Sequence, residues 1–247
     1  MSLYSILGIA SAIALFAPTI LILVFKLFNH RSFLALSVYY LIAGVYNLIT
    51  QNAINAPLWF SRPIGISNNL LDAPLMLLFL IFFSTSAAMT KRIRIAMFTF
   101  IGFEVIILAI FGFTIKTVKI ILGPDIAIII ALSFLFFLRN VRLAITNQKS
   151  LGKAVMTSAI LLSYTIFSLV YIFYYLIKNK QYREDAQLVY YLVTILSTIL
   201  MSAGIIIENK RIKKLGELRN TRKELASLYG EKKVNPFNKD NPFLRTQ

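Results

Sequence analysis

Three acids stand in stretches that are otherwise almost wholly apolar: Asp72, Glu104 and Asp125. Asp72 belongs to Asn68-Asn69-Leu70-Leu71-Asp72-Ala73-Pro74-Leu75-Met76, which opens an apolar run reaching Met89. A carboxylate at the middle of a membrane-spanning helix costs about 2.5–3.5 kcal/mol even on mild insertion scales. Each acid therefore needs a partner, a proton or access to water. Three chemistries suit them. Oxygen ligands hold hard cations. Paired carboxyls share a proton and work as acid and base. A carboxyl among amides and phenols holds a ligand, or a neighbouring helix, by hydrogen bonds. The first two require the acids to meet in space.

Other polar side chains fall at similar positions along the apolar runs. Asn47 and Gln51 lie late in one run, Tyr171 and Tyr174 late in another, and Tyr190, Tyr191 and Thr194 early in the last. Tyr190, Thr194, Ser197 or Thr198, and Met201 follow the 3.6-residue period and so share a helix face. Enzyme templates are absent: there is no Ser-His-Asp set, no His-Glu-x-x-His and no glycine-rich phosphate loop. A single histidine, His30, leaves little for a histidine-rich metal site, and the absence of cysteine excludes thiol chemistry.

The elements that position these residues are membrane helices. The chain has 247 residues, of which 58% are hydrophobic, and a mean hydropathy of +0.74. A soluble domain of this length carries far more polar surface. Seven apolar runs can be drawn, at about 3–28, 32–51, 68–89, 95–113, 118–138, 154–177 and 186–207. The expected fold is an all-α membrane protein, a seven-transmembrane helix bundle. No basic residue precedes the first run, which reads as a retained span rather than a signal peptide, kinked at Pro18. Residues 52–66, with Pro57, Trp59, Arg62, Pro63 and Gly65, read as an interfacial loop. Residues 139–153 read as a basic loop, and Lys91, Arg92 and Arg94 as a turn.

The net charge of +16 sits between the runs and in the tail, a pattern of topology and attraction to anionic lipid headgroups rather than of nucleic-acid binding. With seven spans, the connections on the tail's side hold 9 basic residues against 6 on the other, and 20 against 6 with the tail included. The positive-inside rule then places the amino terminus outside and the carboxy terminus in the cytoplasm. An integral position in the cytoplasmic (inner) membrane of a bacterium is expected. The expected organisation is a transmembrane domain over 1–207, a basic juxtamembrane helix over 208–230 and a polar tail over 231–247. The juxtamembrane segment carries Ile212, Leu215, Leu218, Leu225 and Leu228 at roughly helical spacing, and the tail repeats Asn-Pro-Phe at 235–237 and 241–243.

On that topology Asp72 lies about a turn and a half below the outer surface, Asp125 about two turns down and Glu104 near the midplane. The expected site is an outward-facing ligand pocket of Asp72, Glu104, Asp125, Asn47, Gln51, Asn68, Tyr171, Tyr190 and Thr194 above a dry, apolar inner half. Asp72 is expected to be neutral or hydrogen-bonded to a nearby Tyr or Asn. A receptor-like or accessory role, with a small ligand or lipid held noncovalently, ranks first. A proton- or cation-coupled transporter ranks second and an intramembrane enzyme acting on a lipid third. Oligomerisation is left open.

The run around Asp72 resembles the third helix of the microbial rhodopsins. Asn68 takes the place of the counter-ion acid, Asp72-Ala73-Pro74 that of Thr-Thr-Pro, and Leu75-Met76-Leu77-Leu78 that of the leucine-rich run. In the seventh run, Ser197-Thr198-Ile199-Leu200-Met201 overlays the family's Asp-x-x-x-Lys, so Met201 stands where the retinal-bearing lysine belongs. No lysine lies inside that run, and the family's pocket tryptophans are missing from the third and sixth. The resemblance therefore implies a lysine-free relative that binds a ligand noncovalently, or none, without covalent retinal; no cofactor is expected.

Overall fold

Proline, glycine and serine set the helix boundaries within the apolar runs. The computed structural model describes residues 3–84, 86–147, 150–173 and 180–228, and among these there is no strand. Helices α1 (Leu3–Ala14) and α2 (Phe16–Val24) make one span interrupted at Leu15. Pro18 causes the break, since it has no N–H to offer the carbonyl of Ala14. The remaining helices are α3 (Arg31–Thr50), α4 (Leu58–Leu80), α5 (Ala87–Phe111), α6 (Ile115–Asn147), α7 (Leu151–Tyr171) and α8 (Lys180–Leu228). Together they provide seven stretches long and apolar enough to cross a membrane. The all-helical bundle is as the apolar runs require: in hydrocarbon, only a helix or a closed barrel satisfies every backbone group.

The third span is displaced from its expected register. It begins at Leu58 and not near Asn68, so the supposed interfacial loop is mostly helix. Pro57 sits in extended geometry just ahead of the first turn (φ −64°, ψ 153°), where a proline fits well. Pro63 forfeits one bond, to the carbonyl of Trp59, and the helix runs on through it. Gly65 lies so close to the ring of Tyr46 on α3 that a Cβ there would press into it.

The same span ends early. A short 3-10 turn, Ile81–Phe83, leads to Ser84 in extended conformation, well before Met89. Ser86 then caps α5, its hydroxyl accepting from the Met89 amide at 3.2 Å. Lys91, Arg92 and Arg94 consequently lie in the first turns of α5 rather than in a connection. Arg139 and Arg142 likewise belong to α6, which continues to Asn147.

The chain divides into two compact units with the boundary between Glu208 and Asn209. In the second, Leu215, Leu218 and Leu225 are exposed on the continuing helix α8. Tyr174 and both Asn-Pro-Phe repeats lie outside the described residues.

Candidate functional site

Five helices surround a cavity of roughly 270 Å³ in the half of the bundle nearest the ends of α3 and α7 and the starts of α4, α6 and α8. Helix α3 presents Tyr39, Tyr40, Ala43, Tyr46 and Asn47, whose spacing of three and four places them on one face. Helix α4 adds Asn68, Asn69 and Asp72, and α6 closes one wall with Leu122 and Ile126. Ser163, Phe167, Val170 and Tyr171 come from α7, and Tyr190, Thr194 and Ser197 from α8. Leu15, at the break between α1 and α2, completes the lining.

Hydrogen bonds fix the polar wall. Asn47 donates to the carbonyl of Ala43 at 3.0 Å and to the Tyr190 hydroxyl at 3.3 Å, tying α3 to α8. Tyr171 donates to the Lys119 carbonyl at 2.9 Å, tying α7 to α6. Asn69 turns back onto the carbonyl of Gly65 at 2.7 Å. Phe167 and Tyr190 face one another with centroids 5.3 Å apart.

Asp72 is the carboxyl in this lining. Tyr164, a fully buried side chain of α7, donates to Asp72 Oδ1 at 2.5 Å. The hydroxyl of Tyr39 in turn stands within hydrogen-bonding reach of Tyr164. Beside this chain lies Asp125, close enough to Asp72 for a hydrogen bond when one of the two carries a proton. Glu104 lies within electrostatic range of both. Asp125 is fully buried and Glu104 6% exposed, and neither oxygen of Asp125 nor Oε1 of Glu104 meets a donor as a bare carboxylate. A proton shared with Asp72 would give Asp125 the hydrogen bond it lacks. Among the described residues, no group of three or more acids or histidines is placed to hold a metal ion.

Of the nine residues expected at the pocket, Asp72, Asn47, Asn68, Tyr171, Tyr190 and Thr194 line the cavity. Glu104 and Asp125 lie behind Asp72 rather than in the wall. Gln51 is turned toward the first span and α8: its amide donates to the Tyr191 hydroxyl at 2.6 Å and its side chain packs over Gly8. The depth expected for Asp72 is corrected by the register of α4. From Leu58 it lies about 20 Å along the helix, at mid-span, whereas Asp125 lies about 15 Å from the start of α6 and Glu104 about 10 Å from the end of α5.

Tyr164 is outside the expected pocket set, as are Ser163 and Phe167. Its signal was present: Tyr164, Phe167 and Tyr171 recur at the helical spacing of one face. Tyr39, Tyr40 and Tyr46 also belong to the second run, but nothing local to that stretch shows which of them face inward.

The opposite half is closed by phenylalanine. Phe33, Phe79, Phe82, Phe83 and Phe136 interlock with neighbouring centroids 4.8–6.4 Å apart, edge to face or tilted except for Phe79 and Phe82, which stack. The Lys153 ammonium lies 4.3 Å over the Phe82 ring and donates to its carbonyl at 3.2 Å, closing the end of that span. This half is not the purely apolar plug expected. Ser133, Asn140, Thr157 and Glu208 are all buried there. Small hydroxyls are tolerated because the helix itself satisfies them: Thr157 donates to the carbonyls of Lys153 and Ala154 at 2.8 and 3.0 Å.

No protein family, curated protein or solved structure matches this chain.

Proposed function

We propose that the protein is a receptor-like or accessory component of the cytoplasmic membrane that holds a small ligand noncovalently in the cavity around Asp72. The observation that carries this reading is the cavity itself, walled at membrane depth by amides, phenols and a carboxyl. Polar side chains in a membrane span are expensive and are rarely kept without a use. A volume of about 270 Å³ lies at the lower edge of small-molecule sites, which favours a compact ligand over a lipid tail. The excess of basic residues at the other end of the bundle supports an orientation with the cavity facing outward and the tail in the cytoplasm. In this reading, a lysine-free relative of the microbial rhodopsins binds its ligand without a Schiff base, with Met201 buried in place of the lysine.

Two experiments test the reading. Protein purified in mild detergent should release a bound small molecule on denaturation, and Ala43→Phe, which fills the cavity, should lose that molecule while keeping its melting temperature. If wild type and variant release the same molecules, or none, the cavity is only a packing gap. For orientation, the native chain has no cysteine, so Ser61→Cys and Ser227→Cys can be labelled singly. An impermeant reagent on intact cells should reach Ser61→Cys alone. Labelling of Ser227→Cys instead would invert the topology.

A second reading, proton-coupled transport, draws on the pairing of Asp72 with Asp125 near mid-span, with Glu104 in electrostatic range of both. It ranks below the first because the interlocked phenylalanines close the route to the other side. Ion-driven uptake in proteoliposomes, abolished by Asp72→Asn, would reverse the order.

A further inference from the structure

The lining of the cavity has a definite chemical sign. Its charged member is Asp72, and among the described residues no Lys, Arg or His takes part in it. Among the described residues, the charges that bear on Asp72, Asp125 and Glu104 are one another's. An anionic ligand would enter against that field with no counter-charge to meet it. Two phenols are already committed as donors: Tyr164, behind the wall, to Asp72, and Tyr171, in the wall, to the Lys119 carbonyl.

The walls are also aromatic on several sides. Tyr39, Tyr40, Tyr46, Phe167, Tyr171 and Tyr190 come from α3, α7 and α8 and contribute their rings to one small space. Ring faces carry negative quadrupole charge and attract a cation within about 6 Å of the centroid, more strongly once water is excluded. A carboxyl combined with such rings is a site for an organic ammonium. Tyr164 occupies Asp72 Oδ1 with one hydrogen bond, and a carboxylate has acceptor capacity for several more. The cation would supply the positive charge that the buried acids lack, which makes an ionised Asp72 stable at mid-span.

We propose that the cavity takes a protonated organic amine, its ammonium against Asp72 and its apolar body against the tyrosine wall. This rests on the cavity being the ligand site proposed above. Three probes of matched shape separate the possibilities: 2-phenylethylammonium, 2-phenylethanol and 3-phenylpropionate, titrated calorimetrically into the full chain in detergent. Val170→Cys, at the cavity wall, reports location through protection from maleimide labelling. The amine should bind at least tenfold more tightly than the alcohol, with the anion weakest, and should protect Val170→Cys. Asp72→Asn should bring amine and alcohol within about twofold of each other without weakening the alcohol. If that variant does not fold, the ranking of the three probes on the wild type still decides. Equal binding of amine and alcohol with protection of Val170→Cys, or a preference for the anion, overturns the amine assignment and leaves the site standing. Binding by none of the three at millimolar concentration, with no protection, removes the site as well.

Discussion

The two halves of the bundle pack by different rules. In the half around Asp72, bulky phenols hold the helices around open space, and hydrogen bonds such as Asn47 to Tyr190 keep the wall in place. In the other half, phenylalanine rings interlock and backbones come close together. Gly204 of α8 lies against α7 so tightly that a Cβ would stand 3.0 Å from the Met156 amide nitrogen and 3.1 Å from the Gly152 carbonyl. In lipid there is no hydrophobic drive between helices, so association rests on this kind of close packing and on hydrogen bonds. Close packing and openness thus fall at opposite ends of the same seven spans. The end that packs fixes the scaffold on which the open end is held.

Substitutions can break that contrast, and the largest effect should come from the packed end. Phe79→Ala removes a fully buried ring that touches Phe33, Phe82 and Phe83. It should destabilise by about 3 kcal/mol, the lower end for such a truncation because detergent solvates the freed ring in the unfolded state. Equilibrium unfolding in mixed micelles measures it. A loss below about 1 kcal/mol would mean that this end is no better packed than the other.

At the open end the largest loss should follow Asp72→Leu. It strips Tyr164 of its acceptor and Asp125 of its neighbour, at a cost of about 2 kcal/mol. Asp72→Asn should remain near wild type, because an amide can accept from Tyr164 and donate to Asp125. Thermal melts of the two variants side by side check the difference. Equal stability of Leu and Asn would make Asp72 a bystander.

A smaller change sharpens the comparison. Tyr190→Phe keeps the ring packed on Phe167 but loses the hydroxyl that accepts from Asn47. The cost should be about 0.6 kcal/mol, the average found for hydrogen bonds between membrane helices. A much larger loss would show that the open end depends on its polar wall as heavily as the other end does on its rings. The smallest expected effect is none at all. All-trans retinal added to the purified protein should form no borohydride-reducible adduct, since no described lysine lines the cavity. A visible band lost on lysine blocking would contradict this.

The sequence by itself determined that the protein is made of apolar helices and roughly where they begin and end. Span length and the demand that hydrocarbon makes on every backbone group are local constraints, so they can be read from one stretch at a time. The same locality explains the break before Pro18. It failed at α4, where Pro57, Pro63 and Gly65 look like a loop but occupy the start of a helix and a close contact with Tyr46. That error moved Asp72 by several turns. Which polar groups meet was decided only by the tertiary structure. Asp72 on α4, Asp125 on α6, Glu104 on α5 and Tyr164 on α7 come together through the axial register and rotation of four helices. Those two quantities depend on how side chains from distant parts of the chain interlock, at Gly65 against Tyr46 or among the phenylalanines, and no single stretch contains that information.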